Sequence, residues 1–271
     1  MDITNSRVLL IGATGGIGQK ITEVLQSAGA KLFLVGRNRE KLQRILELYE
    51  QGYKYKPEII AADITTQEGR NTILEFVYRF DIGVNILINC AGTNRFELLE
   101  QMDEKHIDEI MDTNLTATVR LIQMMLPVLK KQETAHILNI GSTFGSIGYA
   151  GFSVYCASKF ALRGFTEALR RELADTCITV SYLAPRATQT ELNSHAIISM
   201  NRELNISTDP PAYVAKKVLE MLTSGNREIY IGWPEKLYVK LNGLMPRFVD
   251  KVLKRQLPII KRYTRQPPWL N

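Results

Sequence analysis

Two side chains at helical spacing are suited to exchange a proton. Tyr155 and Lys159 are four residues apart, and Ser142 lies thirteen residues before Tyr155. In a helix, residues at i and i+4 lie on one face, so this phenol and this ammonium would share a site. The cation would favour the phenolate and lower the pKa of Tyr155 from about 10 towards neutrality. The spacing therefore predicts a tyrosine that donates and accepts protons, unless the pair belongs to a solvated helix face.

A glycine-rich stretch, residues 12–18, follows the first predicted strand and precedes a predicted helix. Glycine lets the backbone approach a phosphate closely, and a helix N-terminus presents unpaired N–H groups and a positive dipole end. Four glycines in seven residues exceed what an ordinary tight turn requires, so the stretch predicts a site for nucleotide phosphates. The candidate contacts are Gly12, Thr14, Gly15, Gly16, Ile17 and Gly18.

The residues after the second predicted strand favour one nucleotide over another. A carboxylate at this position would bind the adenine ribose hydroxyls of NAD, but residues 35–39 contain no acidic side chain. Arg37 is suited to hold a 2′-phosphate instead, so we predict NADPH rather than NADH as the cofactor. The alternative is that Arg37 and Arg39 are solvated charges opening the next helix, which fits Arg39 better.

The elements that must position these residues alternate along the chain. Short apolar runs separated by helical patterns predict βαβ units and a parallel sheet. The predicted strands are residues 7–11, 31–35, 58–62, 85–89, 136–140, 178–183 and 228–231. We therefore predict an α/β fold, a Rossmann-like doubly wound sheet of about seven strands with helices on both faces. One domain is expected over residues 1–232, followed by a basic amphipathic extension over residues 233–271.

In their order and spacing, these motifs resemble the short-chain dehydrogenase/reductase family, of the NADP-preferring Tyr-x-x-x-Lys type. The resemblance extends from about residue 7 to residue 231. Besides the glycine-rich stretch, the residues that carry it are Asp63, Asn89, Ala91, Gly92, Asn114, Ser142, Tyr155 and Lys159.

The resemblance implies hydride transfer between a nicotinamide cofactor and a carbonyl or alcohol, with reduction as the favoured direction. Tyr155 would supply the proton, and Ser142 would donate a hydrogen bond to the same oxygen. Lys159 would assist Tyr155 and hold the nicotinamide ribose, and Asn114 would anchor a relay water through its helix backbone. The implied cofactor contacts are Asp63, Ile64, Asn89, Ala91, Gly92, Tyr155, Lys159, Pro185, Thr188 and Thr190.

Three positions depart from the family pattern. Cys90 replaces the second asparagine of Asn-Asn-Ala-Gly, and Gly141 stands where serine is common. Arg186 follows Pro185 where the family usually has glycine. We expect Arg186 to alter the cofactor pocket or to place a cation near the substrate.

The lid and the tail carry the remaining information on substrate and partners. Residues 191–208 predict a lid over an apolar substrate, although the same side chains would also suit covering the sheet; the apolar residues of this stretch are Leu192, Ile197, Ile198, Met200, Leu204 and Ile206. The formal net charge is +6, and residues 247–265 hold seven basic residues against one acidic residue. The tail therefore predicts either a helix packed on the core or on a neighbouring subunit, or a helix lying on an anionic membrane surface. Packing is favoured for residues 237–248, whereas the two interpretations are level for residues 248–265.

Composition limits the classes of protein that fit. Three cysteines without paired spacing indicate a reducing setting and therefore a cytoplasmic protein. The basic tail adds the alternative that this protein is peripheral at the membrane surface. The histidines and cysteines form no metal motif, and the basic run lacks a nucleic-acid recognition motif. The resemblance implies a homodimer or homotetramer built from the helices that carry Asn114 and Tyr155. The rival functions are a 3-oxoacyl-thioester reductase, a non-catalytic NADP-sensing protein and a lipid enzyme at the membrane surface.

Overall fold

The computed structural model describes residues 2–49, 53–79 and 83–265. These residues form one parallel sheet in the order β3-β2-β1-β4-β5-β6-β7. The strands are β1 (Arg7–Ile11), β2 (Lys31–Gly36), β3 (Glu58–Ala61), β4 (Ile86–Asn89), β5 (Ala135–Ile140), β6 (Ile178–Ala184) and β7 (Glu228–Tyr230). The predicted α/β fold is confirmed, and each predicted strand end lies within one residue of the observed one.

Helices cover both faces of the sheet. The helices in the described residues are α1 (Gly16–Ser27), α2 (Arg39–Leu48), α3 (Gln67–Arg79), α4 (Glu104–Met111), α5 (Ala117–Leu129), α6 (Ser153–Glu172), α7 (His195–Glu203), α8 (Pro211–Ser224), α9 (Glu235–Leu244), α10 (Pro246–Lys254) and α11 (Leu257–Thr264). Helices α1, α2 and α8 bury one face, and α3, α5 and α6 bury the other.

The central strand shows why the apolar runs are nearly continuous. Val8 and Leu10 of β1 belong to the core under α1 and α8, whereas Leu9 and Ile11 belong to the core under α3 and α5. Successive side chains of a strand point to opposite faces, so a strand buried on both faces needs apolar residues at every position.

The strand order reverses at β1, and this reversal creates the crevice. The chain moves from β1 outwards to β2 and β3, and then returns to β4 on the other side of β1. The connections that leave β1 and β4 therefore diverge at the carboxyl edge of the sheet, where open α/β sheets bind their ligands.

Three helices follow the last strand. The first two are separate helices that meet at a proline, because α9 ends at Leu244 and α10 begins at Pro246. Proline is disfavoured in a helix interior because it lacks the N–H donor, but it suits the first turn. Ile260 of α11 is buried in a cluster with Tyr149 and Phe152, so this part of the tail packs on the domain. Trp269, which we assigned to the same amphipathic extension, lies outside the described residues.

No helix in the described ranges has the length and apolar character needed to cross a bilayer.

Candidate active site

The predicted proton-exchanging pair lies on one helix, close to the end of β5. Tyr155 and Lys159 are both on α6, and Lys159 Nζ lies 5.7 Å from the centroid of the Tyr155 ring. Lys159 also donates a hydrogen bond to the carbonyl oxygen of Ile140, the last residue of β5, at 3.2 Å. Ser142 follows that strand by two residues, and its hydroxyl accepts a hydrogen bond from the Phe144 N–H at 3.1 Å. Strand β5 and helix α6 thus bring the three predicted side chains to one site.

Burial dominates the electrostatics of this pair. It raises the pKa of Tyr155 to about 12, although a hydrogen bond with the Ser142 side chain acts in the opposite direction. Burial also lowers the pKa of Lys159 to about 8, and the charge interaction with Cys90 opposes that shift. The predicted lowering of the Tyr155 pKa is therefore wrong in this structure, since desolvation disfavours the charged form of each group. At neutral pH, Tyr155 holds its proton and Lys159 is mainly charged.

Asn114 lies in a π-helical turn, Asp112–Thr116, that joins α4 to α5. Its side-chain oxygen accepts from the Thr93 N–H at 2.8 Å, and its amide nitrogen donates to the Thr93 carbonyl oxygen at 2.9 Å and to the Ser158 hydroxyl at 3.0 Å. Ser158 donates in turn to the carbonyl oxygen of Tyr155. Asn114 therefore connects the α4–α5 segment to the helix that carries Tyr155. Such π-turns often occur at functional sites because they disturb the regular ladder of helix hydrogen bonds.

The glycine-rich turn after β1 forms a cradle that suits an anion. Gly12 has a φ of 81°, and a Cβ there would lie 2.6 Å from the Ala91 nitrogen. A Cβ on Gly18 would lie 2.2 Å from the Gly12 carbonyl oxygen, so both positions require glycine. Helix α1 begins at Gly16 with no side-chain cap and no acidic residue in its first turn. Its N–H groups and its positive dipole end therefore suit a phosphate.

A cleft of about 390 Å³ runs from this cradle to Tyr155 and Lys159. The predicted residues that line it are Gly12, Thr14, Gly15, Gly16, Ile17, Gly18, Arg37, Asp63, Ile64, Ala91, Gly92, Tyr155, Lys159 and Thr190. The volume lies in the usual range for a ligand site, and the anion cradle at one end fits a nicotinamide dinucleotide.

Two cations flank the cleft beside β2. Arg37 is exposed and lines the cleft, and so does Lys41 of α2, which lies 3.9 Å from Glu191. The Asn38 side chain caps α2 by accepting a hydrogen bond from the Lys41 N–H at 2.9 Å, so the helix start directs Lys41 to this corner. Our sequence reasoning missed Lys41, although an asparagine cap directly after Arg37 was a usable signal for a helix start there.

Three predicted cofactor contacts lie outside the cleft. The buried Asn89 donates from Nδ2 to the Asn139 Oδ1 at 2.8 Å and ties β4 to β5. Pro185 and Thr188 line a neighbouring cavity instead.

Within the described ranges, no group of three or more His, Cys, Asp or Glu side chains is arranged to hold a metal ion.

The neighbouring cavity, of about 280 Å³, adjoins the cleft at Tyr155, Gly141 and Thr190. Aromatic and aliphatic side chains from three segments line it: Phe144, Tyr149, Phe152, Ile197, Met200, Ile206, Tyr238, Phe248, Val249, Val252 and Leu253. The predicted lid, residues 191–208, supplies one wall, and helices α9 and α10 supply another. The part that the tail plays in this cavity was not foreseen from the sequence.

Arg186 lines the apolar cavity, but two carboxylates hold its guanidinium. It binds Asp209 through two hydrogen bonds of 3.0 and 2.8 Å, and its Nη1 lies 3.1 Å from the Glu235 carboxylate. Its side chain is only 15% exposed. The expected cation near the substrate is therefore neutralised, because Arg186 ties the loop after β6 to the end of the lid and to the start of the tail.

Gly141 departs from the family pattern for a reason that the fold makes clear. A Cβ at Gly141 would lie 2.0 Å from the Cζ of Tyr182, whose ring fills that space from β6. Cys90, the third departure, lines the cofactor cleft beside Ala91 and Gly92, and burial raises the pKa of its thiol to about 12.

Comparison with known protein families identifies the family of this chain. A family model described as short chain dehydrogenase matches residues 6–199, which include the glycine-rich turn, Ser142, Tyr155 and Lys159. The chain belongs to the short-chain dehydrogenase family. As a member, the protein is an oxidoreductase of carbonyl or alcohol groups with a nicotinamide cofactor.

Individual members of the short-chain dehydrogenase family agree with this result. A 3-oxoacyl-[acyl-carrier-protein] reductase of Haemophilus influenzae is 35% identical over 206 residues, which cover 75% of this chain and 82% of that protein. An uncharacterised oxidoreductase of Staphylococcus saprophyticus is 32% identical over 197 residues, 72% of this chain and 78% of that protein. In fold, the chain resembles a short chain dehydrogenase of Burkholderia cenocepacia in complex with NADP, with a TM-score of 0.78, 24% identity and coverage of 93% and 99%. It equally resembles a member from Burkholderia phymatum in complex with NAD, with a TM-score of 0.80, 20% identity and coverage of 92% and 96%.

Proposed function

We propose that the protein is an NADPH-dependent reductase of apolar ketones or aldehydes. The observation that carries this proposal is the position of Tyr155, which lines both the nucleotide cleft and the apolar cavity. A substrate carbonyl in the cavity would meet the phenol at the boundary between the two spaces. Ser142 lines the same cavity, so its hydroxyl is able to reach the same oxygen.

The chain's own residues then have separate tasks. Bound NADPH would supply a hydride to the carbonyl carbon, and negative charge would grow on the carbonyl oxygen. Tyr155 donates its phenolic proton to that oxygen, and Ser142 donates a hydrogen bond to it. The charge of Lys159, which lies 5.7 Å from the Tyr155 ring, stabilises the phenolate left behind. Burial raises the pKa of Tyr155 to about 12, so at neutral pH the phenol carries the proton that reduction of a carbonyl requires.

The preference for NADPH rests on the cations at the adenine end of the cleft. Arg37 and Lys41 both line it, and residues 35–39 offer no carboxylate to compete with a 2′-phosphate. Two positive charges beside a phosphate add electrostatic attraction that a ribose hydroxyl does not receive. Two acidic residues also line the cleft: Glu191, which lies 3.9 Å from Lys41 and is 94% exposed, and Asp63, which already accepts hydrogen bonds from the Thr65 N–H and hydroxyl.

The decisive experiment is a Tyr155→Phe variant tested against a panel of long-chain aldehydes, cyclic ketones and short ketones. We expect NADPH oxidation to fall by at least about a hundredfold, in line with general acid catalysis, while NADPH still quenches protein fluorescence with the wild-type Kd. Tyr78→Phe, an exposed tyrosine on α3, is the matched control and keeps full activity. Turnover retained in Tyr155→Phe would refute the proposal.

A 3-oxoacyl-thioester reductase is the second candidate. It is favoured by the identity of 33–35% to 3-oxoacyl-[acyl-carrier-protein] reductases of Vibrio cholerae and Haemophilus influenzae. Arg186 is engaged by Asp209 and Glu235, so it is not free to bind the phosphate of a pantetheine carrier. A 3-oxoacyl thioester in the substrate panel separates the two candidates, since only the second predicts that it is the preferred substrate.

A non-catalytic NADP sensor fits the site less well, because binding alone would need neither Ser142 nor Tyr155 at the cavity.

The proposal also includes a homodimer or homotetramer formed through the helices that carry Asn114 and Tyr155. Phe160 of α6 is 41% exposed and suits such an interface. Light scattering measures the molar mass of the wild type and of Phe160→Ser in solution. We expect a dimer or tetramer for the wild type and a smaller mass for the variant, and equal masses would contradict the proposed interface.

A further inference from the structure

The tail helices present a cluster of apolar side chains to solvent. The cluster, called the tail patch below, consists of Trp233, Leu237, Tyr238, Leu244, Met245 and Phe248. Leu244 is 81% exposed and Trp233 is 70% exposed, the first at the end of α9 and the second just before it. Leu237 and Leu244 are seven residues apart and share one face of α9, and α9 packs against α10. Exposed apolar surface gathered in this way marks an interaction site.

Basic residues surround the tail patch and lack ion-pair partners. They are Lys236, Lys240, Arg247, Lys251, Lys254 and Arg255. None of them takes part in an ion pair with another described residue. The acidic residues of the same segment are Glu235, which is bound by Arg186, and Asp250. The surface around the patch is therefore strongly positive.

The tail patch reaches the mouth of the apolar cavity. Tyr238 and Phe248 both line that cavity, and they are 39% and 50% exposed, respectively. These two side chains therefore form the border between the cavity and the outside. A molecule that enters beside them is led along Val249 and Leu253 towards Tyr155.

We propose that the tail patch docks the protein on an anionic bilayer surface, so that apolar substrates pass from the lipid into the cavity. The apolar side chains enter the boundary between headgroups and acyl chains, and the lysines and arginines meet the lipid phosphates and carboxylates. The passage of substrate rests on the proposed reductase function, whereas the docking itself rests only on the surface.

Charge decides between lipid and the other occupants. A symmetric contact between two copies would set one basic surface against another, which is repulsive. An acidic protein would pair with the lysines and arginines, but its charged surface would also have to pack against the apolar side chains of Trp233 and Leu244, which is unfavourable. An anionic bilayer matches the cations and the apolar side chains together.

Flotation with lipid vesicles tests the docking on the full chain. We expect the wild type to float with vesicles of phosphatidylcholine and phosphatidylserine, to bind poorly to phosphatidylcholine alone, and to lose binding as salt rises. Leu244→Ser combined with Met245→Ser should lower the ratio of bound to free protein by at least about tenfold, since both side chains are mainly exposed and neither lines the cavity. Lys240→Glu combined with Lys251→Glu should remove the preference for phosphatidylserine.

Matched controls carry the same changes on other surfaces. Leu48→Ser combined with Leu99→Ser removes two exposed apolar side chains outside the tail, and Lys130→Glu combined with Lys216→Glu reverses two exposed lysines. Both controls should float as the wild type does. Equal loss of binding in a control and in its tail counterpart overturns the proposal, because any exposed residue would then serve as well.

Turnover distinguishes a failure of docking from a failure of the proposed function. Leu244→Ser with Met245→Ser should keep the wild-type rate on a water-soluble ketone and lose rate on a long-chain aldehyde held in vesicles. A wild type that turns over the soluble ketone without floating overturns the docking alone. A wild type that floats without any turnover overturns the reductase function alone. A patch variant that changes from dimer to monomer, with a wild type that never floats, assigns the patch to a second copy instead.

Discussion

The phenol of Tyr182 lies 3.3 Å from both the backbone nitrogen and the carbonyl oxygen of Ser142. Its hydroxyl accepts a hydrogen bond from the first atom and donates one to the second. The ring is 1% exposed, and it occupies the space that side chains at Gly141 and Gly145 would need. A tyrosine on β6 thus holds the backbone of Ser142, which lines the apolar cavity beside Tyr155.

Tyr182→Phe should therefore impair catalysis more than binding. Loss of the phenol removes two hydrogen bonds to the Ser142 backbone, each worth about 1 kcal/mol, so we expect kcat to fall by up to roughly thirtyfold. The Kd for NADPH should stay unchanged, because Tyr182 does not line the nucleotide cleft. Stopped-flow turnover and NADPH titration measure the two quantities separately.

A neighbouring phenol supplies the control for this prediction. Tyr230 of β7 hydrogen-bonds Ser146 at 2.9 Å and Glu228 at 2.8 Å, without reaching Ser142. Tyr230→Phe should keep kcat within about twofold of wild type, since a surface hydrogen bond contributes little. Equal losses in both variants would mean that Tyr182 supports the fold and not the position of Ser142.

Reversal of charge at Arg37 should exchange the cofactor preference. Arg37→Glu removes a cation from the cleft and offers a carboxylate to the ribose hydroxyls, so KM for NADPH should rise by about a hundredfold while KM for NADH falls. Arg39→Glu, two residues further on, should leave both constants nearly unchanged. A wild-type enzyme that prefers NADH would contradict the assignment of Arg37.

The lowered pKa of Lys159 predicts a pH limit for catalysis. The ammonium loses its proton as pH rises through about 8, so the phenolate of Tyr155 is stabilised less and kcat should decline above that pH. Lys159→Arg keeps a charge at alkaline pH and should remove this decline, although its maximal rate will be lower. A flat kcat between pH 7 and pH 10 in the wild type (about one unit below to two above the shifted value) would contradict the role of the ammonium.

The same group links pH to stability with the opposite sign. The pKa of Lys159 in the folded chain, about 8, lies below the ordinary lysine value of 10.5, so between these two pH values the unfolded chain binds more protons than the folded one. Its contribution to the free energy of unfolding therefore grows with pH in this window. Lys159→Met should remove that rise, because methionine carries no proton to lose. Urea unfolding at several pH values measures the free energy of unfolding, and the difference in this free energy between the variant and the wild type should become smaller at high pH.

Arg186→Gly restores the residue usual in the family and should destabilise this protein. Asp209 and Glu235 would lose their partner while largely buried, and breaking such a pair costs about 3–5 kcal/mol of unfolding free energy. Neutral replacements, Asp209→Asn and Glu235→Gln, added to Arg186→Gly should recover much of that loss. Urea unfolding measures each variant, and an Arg186→Gly protein as stable as wild type would show that the contacts contribute nothing net.

The spacing of residues along the sequence was enough to predict the parts of the site that lie on a single helix or a single turn. Tyr155 and Lys159 share α6, and the turn from Gly12 to Gly18 lies between one strand and one helix, so periodicity was enough to predict them. The parallel sheet of about seven strands followed from apolar runs that alternate with helical patterns along the chain. These features depend on contacts within a few residues or on motif order along the chain.

Contacts between distant segments escaped that reasoning. Tyr182 and Ser142 are 40 residues apart, and Arg186 and Glu235 are 49 residues apart, so no local pattern connects them. The sign of the Tyr155 pKa shift failed for a related reason, because burial arises from the whole fold and outweighs one nearby cation. The role of the tail was hidden in the same way, since its helical repeat shows an apolar face but not what that face covers.

The wall that α9 and α10 add to the cavity lies downstream of every strand in the described chain. Mutations there change the shape of the substrate space without disturbing the sheet or the nucleotide turn. The shape of the cavity is thus open to change through the α9–α10 segment alone, and a designer is able to use this by grafting that segment from one family member onto the scaffold of another.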